Sequence, residues 1–498
     1  EIRNCDWSSD VCSSDLEGML SVNLPRKGFL MNIHIHADAQ NTKNILTLIE
    51  EQGFSLPCNC HGAHRCNGAR YSFDCSLIPK KPMDVSLPDT SDKIQSVSLE
   101  KMETSDGTAD TLLIDLGTTT IAMAFIDKES GALRQCKTSA NPQAHFGSDV
   151  ISRIQAATHG NLSDLTDCIR KHIKKETALL CQMTHNDISA IRFCYIGGNT
   201  TMIHLLFGYD CTSLGHSPFT IKVPSPEPLS IGNCTVYTAP WISAFVGGDI
   251  TAGLLSCHLP SSGENALFLD LGTNGEMVLN HKGKLYTAAT AAGPAFEGNG
   301  LSCGCPGISG AISHVVLRTL FPSLTTINNA HPIGICGSGA ISLCAELLRK
   351  HYVTSDGVLT EKFKTDGIVL SKSPDGKSIT FLPEDLRSIQ LAIAAIAAGI
   401  DILLAESGVS KKESFTLYLG GGFGFHLSIE DCQCIGLFSD LCISEIKVMG
   451  NTCLQGLYQW AVYERTPAIQ NDCVPLNLGE HPDFQKTYLH HMTFPDIR

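Results

Sequence analysis

The feature that most constrains this chain is a duplicated strand–turn–strand. Leu112–Asp127 reads LLIDLGTTTIAMAFID, and Ala266–Leu279 repeats the pattern as ALFLDLGTNGEMVL. Each copy has a run of β-favouring apolar residues, an Asp-Leu-Gly-Thr and a second apolar run. That is the pattern of a β-hairpin whose turn carries glycine and hydroxyls. Gly117 and Gly272 have no Cβ to hold a ligand off the backbone. Thr118, Thr119, Thr120, Thr273 and Asn274 offer donors to phosphate oxygens. Asp115 and Asp270 close the first strand of each copy, where a carboxylate can hold Mg2+, commonly through water. One such strand end is as readily a bland piece of core. Two in one chain point to a pair of phosphate-binding hairpins, one per lobe, facing each other across a nucleotide cleft.

The chain has 498 residues, too many for one core, so two or three domains are expected. Its net charge of −14 argues against nucleic acid as a general partner and suits a cytoplasmic protein. The most apolar run, Leu391–Ala405, includes Asp401 and falls short of the roughly 20 apolar residues of a membrane span. It reads as a buried core helix, and no membrane partner is expected. Asp6–Leu16 (DWSSDVCSSDL) looks like a translated sequencing adapter. Residues 1–30 are therefore set aside as an artefactual or disordered leader, with Met19 or Met31 as the start.

Most of the 22 cysteines are scattered through apparent helices and strands, as buried free thiols are. One cluster differs. Residues 31–88 read as a small α+β domain: a strand at Met31–Ala37, a helix at Asn44–Gln52, a loop with Cys58, Cys60, Cys66 and Cys75, and a closing strand at Pro82–Pro88. Four thiolates can hold a [2Fe–2S] cluster in the manner of plant-type ferredoxins, or a zinc ion. Coincidental cysteine richness is the bland alternative. Residues 89–110 are polar and aperiodic and read as a linker.

The large module is α/β, with a first lobe over 111–253 and a second over 254–498. Glycine-rich turns punctuate it at strand ends or helix starts, where backbone N–H groups can meet phosphate or ribose oxygens. Ile191–Gly208 is a strand entering a helix through Gly198, Asn199 and Thr200. Ala244–Gly253 (AFVGGDITAG) opens a helix near Asp249, a candidate catalytic carboxylate whose bland role is an N-cap. Ala291–Gly300 (AAGPAFEGNG) is a loop carrying Glu297, either a site residue or a solvated carboxylate. Gly337, Ser338 and Gly339 enter another helix. Gly420, Gly421 and Gly422 end a strand, and Val448–Gly456 (VMGNTCLQG) turns into a last helix.

This order resembles the two-lobed ASKHA fold shared by sugar kinases, heat-shock chaperones and actin. On that resemblance the motifs are phosphate-1 at Asp115–Thr120, connect-1 at Gly198–Thr201, phosphate-2 at Asp270–Gly275, connect-2 at Gly337–Gly339 and adenosine at Gly420–Gly424. The strings NPQAHFGSDVISRI, GGNTTM, VGGDITAG, LDLGTNGE, AAGPAFEG, GGGFG and GNTCLQG are similar to those of the reductive activators of corrinoid proteins. Membership there implies coupling of ATP hydrolysis to one-electron reduction of Co(II) to Co(I). ATP, Mg2+ and a [2Fe–2S] cluster would be the cofactors, and a corrinoid protein and an external low-potential electron donor the partners. A homodimer is compatible with this reading. It implies Asp115, Asp249 and Asp270 as catalytic or Mg2+-organising groups. The cysteine loop departs from the family, with Ala69 where a third ligand belongs and Cys58 as an extra. The alternatives are a small-molecule kinase of the same fold and an activator of radical dehydratases or aromatic-ring reductases. The latter would bridge a cluster across a dimer, for which Cys303 and Cys305 are the candidates.

Overall fold

Each apolar half of the duplicated hairpin becomes the middle of a sheet. The computed structural model describes residues 30–35, 79–81, 83–88, 102, 104–221, 234–257, 259, 265–318, 321–374, 376–421, 427–438, 440–467 and 473–496. Strands β1 (Leu30–Ile35) and β2 (Met83–Pro88) pair antiparallel at the two ends of the expected small domain. Its expected helix and Cys58, Cys60, Cys66 and Cys75 lie outside the described residues, as does Gly422. The first lobe is built on β3 (Thr111–Leu116), β4 (Thr120–Ile126), β5 (Leu133–Ala140), β6 (Phe193–Gly198) and β7 (Thr235–Thr238), in the order β5-β4-β3-β6-β7. The second contains β8 (Asn265–Leu271), β9 (Gly275–His281) and β10 (Lys284–Thr290). A side sheet of β11 (Ala311–Val316), β12 (Ser323–Thr326) and β13 (Gly334–Ile335) follows, then a ribbon of β14 (Ile368–Lys372) and β15 (Ser378–Phe381). The chain returns through β16 (Ser414–Gly420), β17 (Cys442–Gly450) and β18 (Cys473–Pro475), giving a second main sheet ordered β17-β16-β8-β9-β10-β18.

The hairpin strands are apolar on both faces because both faces are covered. Along β3, Leu112, Ile114 and Leu116 face a core made with the helices Leu162–Met183 and Thr200–Phe207. Leu113 faces the other way, with Ala122, Ala124 and Ile126 of β4, into a core completed by Leu454, Leu457 and Ala461 of the helix Thr452–Tyr463. In the second lobe, Leu267, Leu269 and Leu271 pack with Ile389, Ile393 and Ile396 of the helix Pro383–Ser407. On the opposite face, Ala266 and Phe268 pack with Ile250 and Cys257 of the helix Gly248–Cys257. The expected run Leu391–Ala405 thus lies inside a core helix. Pro383–Ser407 is long and apolar enough to cross a membrane, but most of it is buried against the rest of the chain.

The two lobes therefore exchange helices. The helix Gly248–Cys257 reaches the second sheet through Ile250 and Cys257 while Ala252 stays in the first-lobe core, and the helix Thr452–Tyr463 of the 254–498 segment covers the first sheet. They cross at glycines: a Cβ on Gly456 would run into the Ala252 carbonyl, and one on Gly253 would sit 2.9 Å from Thr452 Oγ1. These are the elements that connect the lobes, in place of the Gly198–Thr201 and Gly337–Gly339 assignments. Gly198–Thr201 turns within the first lobe. Gly339 lets its helix press on Ile312 and Ile335 within the second.

The expected linker is shorter than 89–110. Arg134 clamps residues 105–108, its Nε donating to the Thr108 carbonyl (2.9 Å) and its Nη1 to Ser105 Oγ (2.6 Å) and the Asp106 carbonyl (3.0 Å). Ala109 N donates to Asn186 Oδ1 at 3.1 Å. Residues 104–110 thereby belong to the first lobe.

Replacing Gly456 with Ala forces the crossing helices apart. The expected loss is about 1–3 kcal/mol, the usual cost of overpacking, read as a lower urea midpoint. Gly479→Ala, where the nearest foreign atom is 3.5 Å from the new Cβ, should shift the midpoint little.

Candidate functional site

The two hairpin turns meet. Thr119 Oγ1 and Thr273 Oγ1 are 2.9 Å apart, from turns in different lobes. Asn141 holds the first turn from behind: its backbone N–H donates to the Thr119 carbonyl (2.8 Å) and its side-chain amide to the Gly117 carbonyl (2.9 Å). Glu297 holds the second. Thr273 N donates to its Oε1 at 3.1 Å and Thr273 Oγ1 to its Oε2 at 3.3 Å. The loop at Ala291–Gly300 is not a solvated excursion. It contains a short 3-10 helix, Pro294–Glu297, with Phe296 in the core, which aims Glu297 at the turn.

Five carboxylates gather behind the turns: Asp115, Asp249, Asp270, Glu276 and Glu297. Asp115 and Asp270 end β3 and β8, as expected. Asp249 lies in the first turn of the helix Gly248–Cys257 and accepts from Ile250 N at 2.9 Å. Glu276 was not singled out from sequence. It stands directly opposite Asp270 across the second hairpin, where the first hairpin sets Ala122 opposite Asp115. Like charges directly opposite repel, so the second lobe carries a strain that the first lacks.

Burial is the main cause of the resulting pKa values, and neighbouring negative charge the second. Asp249 is pushed up to about 7 by burial and then by Asp115. Asp270 is pushed up to about 7 by burial, then by Asp249 and Asp115. Glu276 is pushed well above the ordinary carboxylate range by burial, Asp249 and Asp270. Burial also raises Glu297, against hydrogen bonds from Thr119, Thr273 and Asn299. Burial raises Asp115 too, opposed by Asn451 and Cys453.

Those last two contacts come from the GNTCLQG string, which the sequence marks as a turn into a helix and as one of the strings of the family resemblance, with no site role for its residues. Asn451 Nδ2 donates to Asp115 Oδ2 at 2.6 Å while Asn451 Oδ1 accepts from Leu454 N at 2.7 Å, capping the helix Thr452–Tyr463. Thr452 Oγ1 lies 3.5 Å from Asp270 Oδ2. Consecutive residues at one helix start thus touch the aspartates of both lobes. The sequence signal was an Asn at an N-cap position. Its partner across 336 residues carries no local signature.

The remaining candidates divide. Gly420 and Gly421 lie against Asp270, a Cβ on either falling 3.2 Å or 2.9 Å from its carboxylate, and Gly421 has φ +80°. A Cβ on Gly272 would sit 3.1 Å from Glu297 Oε1. Asn274 bonds Glu276. Thr118 is buried and Thr120 begins β4. Gly275 instead makes room for Ile396 of the core helix. Asn199 caps its helix through Thr201 N (3.0 Å), and Thr200 Oγ1 donates to the Ser243 carbonyl (2.7 Å). Ser338 Oγ is 3.2 Å from Cys336 Sγ. The helix that Gly337 begins packs beside Pro294–Glu297.

Buried carboxylates in such number call for a cation. Among the described residues no three His, Cys, Asp or Glu side chains converge closely enough to hold one directly. That donor set suits Mg2+, which keeps several of its waters and shares the rest of its shell with phosphate oxygens.

Residues 111–262 match the family profile described as the RACo middle region, and residues 264–498 the one described as the C-terminal domain of RACo, the ASKHA domain. The chain is 30% identical over 420 residues to the corrinoid activation enzyme RamQ of Eubacterium limosum, covering 77% of this chain and 70% of RamQ. It is 29% identical over 251 residues to the Co(II) methylated amine-specific corrinoid protein reductase of Methanosarcina barkeri, covering 45% of this chain and 44% of that protein. Among solved structures, a reductive activator for corrinoid, iron-sulfur protein superposes with a TM-score of 0.69 at 30% identity, covering 79% of this chain and 67% of that one.

Two outcomes follow from the electrostatics. The folded pKa of Asp249 lies above its unfolded value near 4, so its contribution favours folding most below pH 4, falls between pH 4 and 7 and stays low above. Asp249→Asn should raise stability at pH 8 by on the order of 1–2 kcal/mol, the gain vanishing near pH 4 in thermal melts across that range. Asn451→Ser keeps a good cap and removes the donor to Asp115. Stability should change by less than about 1 kcal/mol, while the acid limb of the activity profile moves to higher pH.

Proposed function

This chain belongs to the RACo family, and we propose that it hydrolyses ATP to drive one-electron reduction of a corrinoid protein's cobalt from Co(II) to Co(I). The observation that carries the reading is the meeting of Thr119 and Thr273 above carboxylates drawn from both lobes. Phosphate oxygens placed between these turns would exchange the hydroxyl–hydroxyl bond for bonds to both lobes, so nucleotide binding sets the angle between them.

Within this proposal Thr118, Thr119, Thr120, Thr273 and Asn274 hold the β- and γ-phosphates. Asp115 and Asp270 would hold Mg2+, which would supply positive charge to offset that of the phosphates. Asp249, with its carboxyl pushed up to about 7, is suited to take a proton from the attacking water at neutral pH. Gly420 and Gly421, with Gly422, take the adenosine side. Cys58, Cys60, Cys66 and Cys75, outside the described residues, would hold a [2Fe–2S] cluster, whose chemistry is one-electron transfer. The corrinoid is the substrate, and movement of the lobes against it is the means by which ATP alters the cobalt's surroundings, which set a metal's potential.

The rival activator of radical dehydratases needs cysteines at a subunit surface. Cys303 and Cys305 are buried in the second lobe, which weighs against it.

Purified protein mixed with a corrinoid protein, Mg·ATP and a low-potential reductant should generate the Co(I) absorption only while ATP is hydrolysed. Asp249→Asn should slow hydrolysis by roughly 10²–10⁴-fold, the usual worth of a positioned base, and slow Co(I) formation with it. Co(I) growth at equal rates with and without ATP would overturn the proposal.

A further inference from the structure

Toward the end of the first lobe away from the phosphate turns lies an aromatic face that the nucleotide chemistry does not use. Tyr195 and Tyr237 stack with ring centroids 4.8 Å apart, and Trp460 stands edge-on to them at 5.1 Å and 5.9 Å. Tyr458 and Tyr463 meet edge-on at 6.2 Å. Phe193, at the start of β6, lies beneath Lys128 Nζ at 4.5 Å. Tyr463 is 61% exposed and Tyr237, on the edge strand β7 of the described sheet, 37%. Tyr195 is buried and Phe193, Tyr458 and Trp460 are half-buried. Two exposed tyrosines thus rim an aromatic patch that is only partly covered, with cations at its margin, the make-up of an interface rather than of ordinary surface.

The course of the chain indicates what covers this face. Met102 packs against the same cluster as Phe193, Tyr458 and Trp460. The next residues are fixed by Arg134 and by Ser105 N donating to the Leu133 carbonyl at 3.0 Å. Asp110 then pairs with Arg192 beside Phe193. The tether from the cysteine-bearing segment therefore lands on the aromatic face itself. Only residues 89–101 separate Pro88 of β2 from Met102, a span of at most roughly 50 Å fully extended. A tether of that reach keeps two modules at about millimolar effective concentration. Even a weak contact between them is then well populated, and a partner in solution must compete with it.

We propose that this face docks the chain's own residues 31–88, the segment carrying Cys58, Cys60, Cys66 and Cys75. The helix Thr452–Tyr463 then has its first turn on Asp115 and Asp270 and its last residue in the docking face, about 18 Å away along its axis. A shift of that helix on nucleotide binding moves the seat of the segment proposed to deliver electrons. The docking stands without the corrinoid; its use in electron delivery rests on the function proposed above.

The test places the photoreactive residue p-benzoylphenylalanine at Tyr463 in the full chain and irradiates it with no corrinoid protein present. Cross-links mapped by mass spectrometry within a single chain, from position 463 to residues 31–88, are expected. Cross-links only between two copies, or none to that segment, overturn the proposal. A Tyr237→Glu, Tyr463→Glu chain should keep ATP hydrolysis within about two-fold while Co(I) formation falls at least five-fold. Equal Co(I) formation by this variant overturns the coupling. A chain that cross-links as expected but never reduces cobalt refutes the corrinoid function and leaves the docking standing.

Discussion

The backbone contact between two crossing helices is the constraint on which the rest of the molecule depends. Gly456 against Ala252, and Gly253 against Thr452, bring the helices Gly248–Cys257 and Thr452–Tyr463 closer than side chains would permit. Each helix adds side chains to the core of the other half of the chain, Ile250 and Cys257 to the second sheet and Leu454, Leu457 and Ala461 to the first, so neither core is complete without its neighbour's segment. Both helices start at the carboxylate cluster. Their N-terminal ends present the positive end of the helix dipole, a favourable field for buried carboxylates, and Ile250 N donates to Asp249 directly. The same crossing therefore joins the lobes, allows them to turn and steadies the charge between them.

That charge is the other half of the design. Asp249 and Asp270 are held where water is scarce and like charges are near. Among the described residues, the donors that reach the cluster are neutral: Asn451, Thr452, the turn threonines and backbone N–H groups. A site built this way is under-compensated until something positive arrives. The discomfort is spread over both lobes, so relieving it draws them together. Energy stored locally in this manner is characteristic of functional sites.

Much of this was legible in the sequence. The duplicated Asp-Leu-Gly-Thr with apolar runs on both sides predicts two hairpins, their turns and the aspartates that end β3 and β8. Asp249 after two glycines predicts a helix start, and Leu391–Ala405 a core helix. What stayed hidden was of two kinds. Glycine is ambiguous: Gly275 and Gly456 are there to admit Ile396 and Ala252, and sequence alone does not separate that need from the approach of a phosphate. Contacts between distant segments are the second kind. Asn451 looks like any N-cap until the fold brings Asp115 to its amide, and the exchange of helices between lobes follows from the path of the chain, which no local pattern records. Glu276 lay in view inside LDLGTNGE. Its meaning came only with the strand register that sets it opposite Asp270.

That register breaks the symmetry of the duplication. In the first hairpin the aspartate faces an alanine; in the second it faces a glutamate. A proton shared across the second hairpin and a divalent cation beside it answer the same need, since each cancels negative charge that burial has made costly. As pH falls through the raised range of these carboxyls, protons supply part of that cancellation, and at higher pH more of it falls to the cation. The demand for positive charge is thus graded with pH, and Glu276, where the second half of the duplicated chain departs from the first, adds one more buried carboxyl to it.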